Sequence, residues 1–244
     1  MAPVRPRASG TPMGMAAGLG KRMLPLTADR PKPLIEVGGR ALIDLMLDHL
    51  ADAGLAKAVV NVHYLPDQVE AHLARRTAPR VTISDERAEL LETGGGMVKA
   101  WGAGLLPDPF FCVNSDNVWI DGPRNTLLDL SDGWDPARMD ALLLVVPRER
   151  AFEHSGKGDF QLGPDGRLRR RGPEDVFAPY IFIGAQIVSH RLLRDAPAGP
   201  FSTMVLWERA IAEGRLFGAV HAGQWYDVGT PAAIAPAAAA LTHG

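Results

Sequence analysis

Apolar positions recur along this chain with two alternating periods. Short runs rich in Val, Ile and Phe give way to longer stretches in which apolar residues return every third or fourth place. That is the pattern of βαβ units around a mostly parallel sheet. ALIDLMLDHLADAGL puts Leu42, Leu45, Met46, His49 and Leu50 on one helical face, with Gly54 as C-cap. AVVNVHYL then predicts a buried strand, PDQVEAHLARR a helix, VTISDE a strand, LLETGGGMVKAWGAGLL a helix entered from a glycine run, and FFCVNSD a strand ending in polar residues. Past Pro123 the pattern is less regular. ALLLVVP and YIFIGAQIV predict strands, GDFQLGPDGRLRRR a hairpin about Pro-Asp-Gly, and MVLWERAIAEG a helix. LFGAVHAGQWYDVG predicts a strand pair or a strand and turn, and PAAIAPAAAALTHG a closing helix interrupted by Pro236.

The expected fold class is α/β, a mostly parallel central sheet flanked by helices. No repeat or linker divides the chain, so residues 13–244 are expected to form one domain behind a disordered tail, 1–12. SGTPMGM offers only Met13 and Met15 around Pro12 and Gly14, which marks the first strand weakly.

Composition narrows the partners. With 46% hydrophobic residues over 244 positions the chain can bury a substantial core, and a net charge of -2 gives no electrostatic reason to expect nucleic acid. The local cluster RLRRRGP reads equally as a solvated turn or as a ligand-facing patch. Cys112 is the single cysteine, so no internal disulfide forms, and a reducing cytoplasm fits. No apolar run approaches the roughly 20 residues that span a membrane, and MAPVRPRASGTP lacks the apolar core of a secretory signal.

The candidate chemistry begins at residues 15 to 34, MAAGLGKRMLPLTADRPKPL. Gly18 and Gly20 permit close approach of backbone N–H groups to an anion, and Lys21, Arg22 and Lys32 supply charge along a polyphosphate. A Walker A loop would need glycine at Met15 and Ser or Thr at Arg22; a dinucleotide fingerprint would need a third glycine at Met23. Neither fits, and on the first six residues a plain glycine-rich surface turn stays open. In LETGGG, residues 91 to 96, Thr93 reads as a helix N-cap, which need not exclude a role for the glycine run in receiving a flat base. The histidines show no metal spacing, so His63, His154 and His221 read as strand-end or surface residues. Ser115 and Ser155 lack a nucleophile elbow, Cys112 lacks a His partner, and Trp101, Trp119, Trp134, Trp207 and Trp225 read as core and site walls.

The longer pattern, Gly18-Leu-Gly20-Lys-Arg22-Met-Leu-Pro25-Leu-Thr27 followed by Pro31-Lys32-Pro33-Leu34, resembles the signature of sugar-1-phosphate nucleotidylyltransferases. The resemblance implies a Rossmann-like nucleotidyltransferase fold in which the loop, with Ala17, Gly18, Gly20 and Lys21, wraps a nucleoside triphosphate. It also implies that Arg22 stabilises the transferring α-phosphate and that Lys32 bridges phosphates. Asp116 in VNSDN and Asp227 in QWYDVGT resemble the family's Mg2+ ligands, which makes Arg22, Lys32 and Asp116 the implied catalytic set. Glu92, Thr93 and Gly94 fall at the base. Their L-E-T-G-G-G looks like the version in bacterial N-acetylmuramate 1-phosphate uridylyltransferases of peptidoglycan recycling, whereas guanylyltransferases tend to carry L-G-T-A-G.

On the sugar side, roughly residues 123–225, the resemblance implies Gly158 and Asp159 of GKGDF and Gly184 of YIFIGAQIV, together with Asn114 from the preceding strand. Two departures stand out: Ser115 replaces a usual glycine, with Asn117 after the aspartate, and RRRGP stands where relatives carry Glu-Lys-Pro, so that Arg171 becomes a candidate for that lysine's task. The implied reaction takes UTP and N-acetyl-α-muramate 1-phosphate to UDP-N-acetylmuramate and pyrophosphate in the cytoplasm. The rivals are guanylyl or thymidylyl transfer to mannose or glucose 1-phosphate and, from another class, a non-catalytic sugar-nucleotide sensor. The absence of the oligomerising segments of longer relatives predicts a monomer or weak dimer.

Overall fold

The computed structural model describes residues 10–152 and 154–242. The expected tail lies outside the described residues up to position 9. Residues 10–12 already lead into the sheet, since the Pro12 carbonyl accepts from Val59 N–H at 2.8 Å.

The chain runs β1 (Met13–Met15), a two-strand ribbon β2 (Glu36–Val37) and β3 (Arg40–Ala41), α1 (Leu42–Asp52), β4 (Lys57–Val62), α2 (Pro66–Leu73), β5 (Arg80–Asp85), α3 (Glu92–Gly102) and β6 (Phe110–Asn114). It continues through β7 (Asn117–Ile120), α4 (Thr126–Asp132), β8 (Ala141–Pro147), β9 (Ala151–Phe152), the hairpin β10 (Phe160–Leu162) and β11 (Leu168–Arg170), and β12 (Tyr180–Val188). After α5 (His190–Leu193) and α6 (Met204–Ala212) it closes with β13 (Leu216–Val220), β14 (Gln224–Asp227) and α7 (Ile234–Leu241). Strands β5, β4, β1 and β6 lie side by side and parallel; β12 follows antiparallel, then β8 and β13 parallel to each other, with the hairpin on the end of β12. A smaller sheet, β7–β14–β9, stands beside the carboxyl ends of the main one.

The strand runs look continuously apolar because both faces of the sheet are covered. Along β8, Leu142, Leu144 and Val146 pack with α1 and α4 on one side, while Ala141, Leu143 and Val145 pack with α3, α5 and α6 on the other. The same two-residue alternation splits Phe111 and Val113 from Phe110 and Cys112 in β6. Burial in this layer pushes the Cys112 thiol up to about 12, which leaves it an inert packing group.

Several elements depart from the sequence pattern or go unmarked in it. The weakly marked first strand sits at the centre of the sheet, where paired neighbours on both sides hold three residues in register and Pro12, at its start, has no ladder N–H to miss. NVWI is strand β7 and TLLDLSD is helix α4, whose Asn125 cap accepts from the N–H groups of Leu127 and Leu128 at 3.1 Å each. The stretch from Leu216 to Gly229 contributes to two sheets rather than to one pair. Pro236 does not interrupt α7, because it lies in the first turn, where no intrahelical N–H is required.

His49 stacks on Trp119 with ring centroids 4.1 Å apart, and His221 is buried with its Nδ1 3.4 Å from Thr126 Oγ1. Burial lowers the pKa of both imidazoles below 6.5. A folded-state pKa below the unfolded one gives stability that is full above the unfolded value and is lost as pH falls through it. Each proton taken up only on unfolding costs up to about 1.4 kcal/mol per pH unit. The melting temperature should therefore fall between about pH 7 and pH 5, and scanning calorimetry of His221→Gln should show a shallower acid limb than the parent.

Candidate nucleotide and sugar-phosphate cleft

In an open α/β sheet the crevice forms where neighbouring strands send their connections in opposite directions, at the carboxyl ends. Here that point lies between β1, whose chain leads toward β4, and β6, whose chain leads toward β12. A cleft of about 360 Å³ opens there. Ala16, Ala17 and Gly18 of the glycine loop form one wall, Lys32, Asn114, Ser115 and Asp116 the floor, and Glu92, Thr93 and Ser202 the far side.

The loop is tied down by its own residues. Thr27 Oγ1 donates to the Gly20 carbonyl at 2.9 Å, and Met23 N–H donates to the same oxygen at 2.8 Å. Gly20 has φ +64, and a Cβ there would lie 2.9 Å from Lys32 Cβ and 3.0 Å from Thr27 Cγ2. Gly18, in contrast, has no neighbouring atom within 4 Å of where a Cβ would stand. The space beside it opens onto the cleft. Gly20→Ala should therefore lower stability by roughly 1–2 kcal/mol, whereas Gly18→Ala should melt like the parent yet bind nucleoside triphosphate about tenfold more weakly; differential scanning fluorimetry and calorimetric titration separate the two.

Lys32 is 8% exposed, and its Nζ donates to Asp116 Oδ2 at 2.7 Å. Asp116 stands in the turn between β6 and β7, and the antiparallel register of β7 with β14 sets Asp227 directly across from its neighbour Asn117. The two carboxylates thus stand at the same end of the β7–β14 pair, and the Lys32 ammonium, bonded to Asp116, also acts on Asp227. Asp227 Oδ2 meets His154 Nδ1 at 3.0 Å, and Arg22 reaches the same corner, its guanidinium alongside Gly229. Burial pushes the Asp227 carboxyl up, but the His154 hydrogen bond and the charges of His154, Arg22 and Lys32 outweigh it and hold the carboxyl below its ordinary range.

Asp116 lines the cleft and Asp227 stands beyond its lining; two hard carboxylates at this end suit Mg2+, which usually takes one or two protein carboxylates and completes its shell with phosphate oxygens and water. Among the described residues no group of three or more His, Cys, Asp or Glu is poised to hold a metal alone. The donor set fits an ion that arrives with its nucleotide.

The support beneath the loop carries no motif of its own in the sequence. Asn61, the one polar residue within the buried run of β4, accepts from Ala16 N–H at 2.7 Å and donates to Glu86 Oε1 at 2.8 Å. Glu86 Oε2 accepts from Leu91 N–H at 3.3 Å, so one buried carboxylate braces both the glycine loop, through Asn61, and the entrance to α3. Burial raises the Glu86 pKa against the Asn61 and Leu91 hydrogen bonds. The break in apolarity at Asn61 was the available signal; nothing local distinguished His154.

The other expected residues take more structural places. Thr93 is not the N-cap of α3: it lies inside the first turn, and its hydroxyl accepts from Thr203 N–H at 2.9 Å. Gly94 is covered by the Phe201 ring, and the N–H groups of Gly94 and Gly95 donate to the Phe201 carbonyl at 2.8 and 3.3 Å. Glu92 and Thr93 alone of this segment's expected residues face the cleft. Lys21 and Arg22 are exposed and do not line the cleft itself; Arg22 stands beside Asp227 and Gly229. Gly158 lies where a Cβ would strike the Ala178 carbonyl at 2.0 Å, and Asp159 Oδ2 accepts from Phe182 N–H at 3.0 Å. Arg171 donates to the Asp175 carbonyl at 3.0 Å. The GKGDF and RRRGP segments thus shape the joint between the hairpin and β12, and none of the three lines the cleft.

Residues 11–153 match the family model described as nucleotidyl transferase. The chain is similar to the N-acetylmuramate alpha-1-phosphate uridylyltransferase of Caulobacter vibrioides, 45% identical over 235 residues that cover 95% of this chain and 96% of the relative. It is also similar to the protein of that name from Neisseria meningitidis serogroup B, 35% identical over 222 residues, 89% of this chain and 92% of the relative. Among solved structures, UDP-glucose pyrophosphorylase complexed with UDP-glucose matches with a TM-score of 0.78 over 96% of this chain and 99% of that chain; at 15% identity this is a likeness of fold.

Proposed function

The chain belongs to the nucleotidyl transferase family, and from that premise we propose that it transfers UMP from UTP to N-acetyl-α-muramate 1-phosphate, giving UDP-N-acetylmuramate and pyrophosphate. The observation that carries the reading is the meeting of Lys32, Asp116, Asp227 and Arg22 at one corner beside the open space at Gly18. The choice of uridine and muramate is supported by the two relatives of that activity, which match over nearly their whole length.

A phosphate oxygen of the sugar 1-phosphate attacks the α-phosphorus of UTP in line, the new P–O bond forms, and the bond to the β-phosphate oxygen breaks. The nucleophile is already an anion, so the protein supplies position and charge rather than a proton acceptor. Lys32, fixed against Asp116, presents its ammonium to the reacting phosphates, and Arg22 presents its guanidinium from beside Asp227 and Gly229. The N–H groups of the glycine loop hold the leaving pyrophosphate. Asp116 and Asp227 would hold Mg2+, which when bound offsets the repulsion between the two phosphate groups. Glu92 and Thr93 stand on the side where the base would lie. A cytoplasmic setting, where UTP is found, goes with this reading; among the described residues no helix is long and apolar enough to cross a membrane.

The test is pyrophosphate release by the purified protein with Mg2+ and UTP, with and without N-acetylmuramate 1-phosphate, beside glucose and mannose 1-phosphates and with GTP and dTTP in place of UTP. Release strictly dependent on UTP and the muramate compound is expected. Preference for GTP with mannose 1-phosphate would overturn it in favour of a guanylyltransferase, and UTP binding without turnover of any sugar would point to a sensor.

A further inference from the structure

Asn117, next to Asp116, has both ends of its carboxamide engaged. Its Oδ1 accepts from Trp225 Nε1 at 3.0 Å, and its Nδ2 donates to Asp116 Oδ1 at 3.0 Å. The orientation is settled chemically. An indole N–H can only donate, so the amide oxygen must face Trp225 and the amide nitrogen must face the carboxylate. Asn117 is 8% exposed, and Trp225 is 2% exposed.

The pocket for this carboxamide is made by a third strand. Gly184 of β12 has φ +80 and sits where the pairing of β12 with β8 shifts register between Phe182 and Gln186. A Cβ on Gly184 would lie 2.1 Å from Asn117 Nδ2 and 2.8 Å from its Cγ. The room left at Gly184, read from the sequence as space for a sugar, is thus occupied by Asn117. Asp116 is held from two sides, by Lys32 at Oδ2 and by Asn117 at Oδ1.

We propose that Asn117 is the positioning residue for Asp116: its carboxamide, seated over Gly184 and anchored by the Trp225 indole, links β14 to the β6–β7 turn and so fixes the spacing of the Asp116 and Asp227 carboxylates. This rests on the reading of that pair as the metal- and phosphate-facing carboxylates. Trp225 lies two residues before Asp227 on the same strand. A shift of β14 therefore reaches both carboxylates together, which keeps the pair in step. The departure after the aspartate becomes a part of the corner rather than a defect in it.

Three variants reach the same carboxamide from different strands: Asn117→Ala deletes it, Gly184→Ala displaces it, and Trp225→Phe removes only the indole donor. Each is followed by the Mn2+ affinity of the UTP complex in electron paramagnetic resonance, by kcat and by KM for the sugar phosphate, and by melting temperature. Asn117→Ala is expected to weaken Mn2+ binding in the UTP complex and to lower kcat about tenfold each, with KM for the sugar phosphate within about twofold. Gly184→Ala should give the same signature, and the Asn117→Ala/Gly184→Ala pair should add little to either single change in Mn2+ affinity or kcat, because with the carboxamide gone the added methyl no longer meets it and keeps only the Asn114 Cβ contact, at 3.1 Å. Trp225→Phe should shift Mn2+ affinity in the same direction by a smaller factor, and it serves if Asn117→Ala does not fold. Lowered melting with unchanged Mn2+ affinity and kcat would overturn the proposal, as would an effect confined to KM for the sugar phosphate. If the parent protein binds Mn2+·UTP but turns over no sugar phosphate, the proposed reaction fails, and the Mn2+ affinities of the variants still decide the role of Asn117.

Discussion

Replacing Asp227 by asparagine should reduce turnover by about a thousandfold or more while the protein melts within a few degrees of the parent. The substitution keeps the shape of the side chain, so β14 keeps its register with β7 across from Asn117. What it removes is the negative charge that His154, Arg22 and Lys32 now hold in its ionised form. With that charge gone, a cation at the corner keeps only Asp116 as a protein carboxylate, and Mg2+ binds poorly to a neutral amide oxygen in a carboxylate's place. The half-activating Mg2+ concentration should rise along with the loss in kcat, and raising Mg2+ should restore part of the rate. Steady-state kinetics across a Mg2+ series, with circular dichroism melting on the same samples, checks both halves. Full activity in Asp227→Asn would remove the second carboxylate from the mechanism and with it the proposed corner.

Much of this corner is legible in the sequence alone, and the reason is local chemistry. The glycine loop stands out through Gly18, Gly20, Arg22 and Lys32, because backbone N–H groups and cations within one short segment are what binding a polyphosphate would require. The strands β4, β6 and β8 are legible because burial on both faces leaves few polar positions to blur the run. What the sequence conceals depends on contacts between distant segments. The strand β1 is short and carries Gly14 just after Pro12, and only its neighbours make it a strand. Phe201 covers Gly94 and takes the N–H groups that the glycine run advertised. His154, 73 positions from Asp227, has no neighbour in sequence to betray its partner. A carboxylate as deeply buried as Glu86 is equally silent, because its need for Asn61 and Leu91 appears only once β4, β5 and α3 are assembled.

The second large effect concerns Lys32, and its value is that it separates two kinds of help given to the phosphates. Lys32→Met keeps the buried stem and removes the ammonium. The expected loss in kcat is about a hundredfold to a thousandfold. The stability cost should be about 1–2 kcal/mol, below the roughly 3–5 kcal/mol of breaking a fully buried pair, because the Asp116 side chain is 36% exposed and water can replace part of what the lysine gave. The Mg2+ response should run opposite to that of Asp227→Asn. In the resting protein the Lys32 ammonium occupies Asp116 Oδ2, one of the oxygens a metal would use. Without it that oxygen is free, so the half-activating Mg2+ concentration should stay level or fall even as kcat collapses. Arg22→Met offers the internal comparison: its side chain is exposed, so it should cost kcat with almost no change in melting. If Lys32→Met instead raises the Mg2+ requirement as Asp227→Asn does, the lysine acts by holding Asp116 in place rather than by meeting the phosphates, and the charge that stabilises the reacting phosphates would have to come from Arg22 and the metal alone.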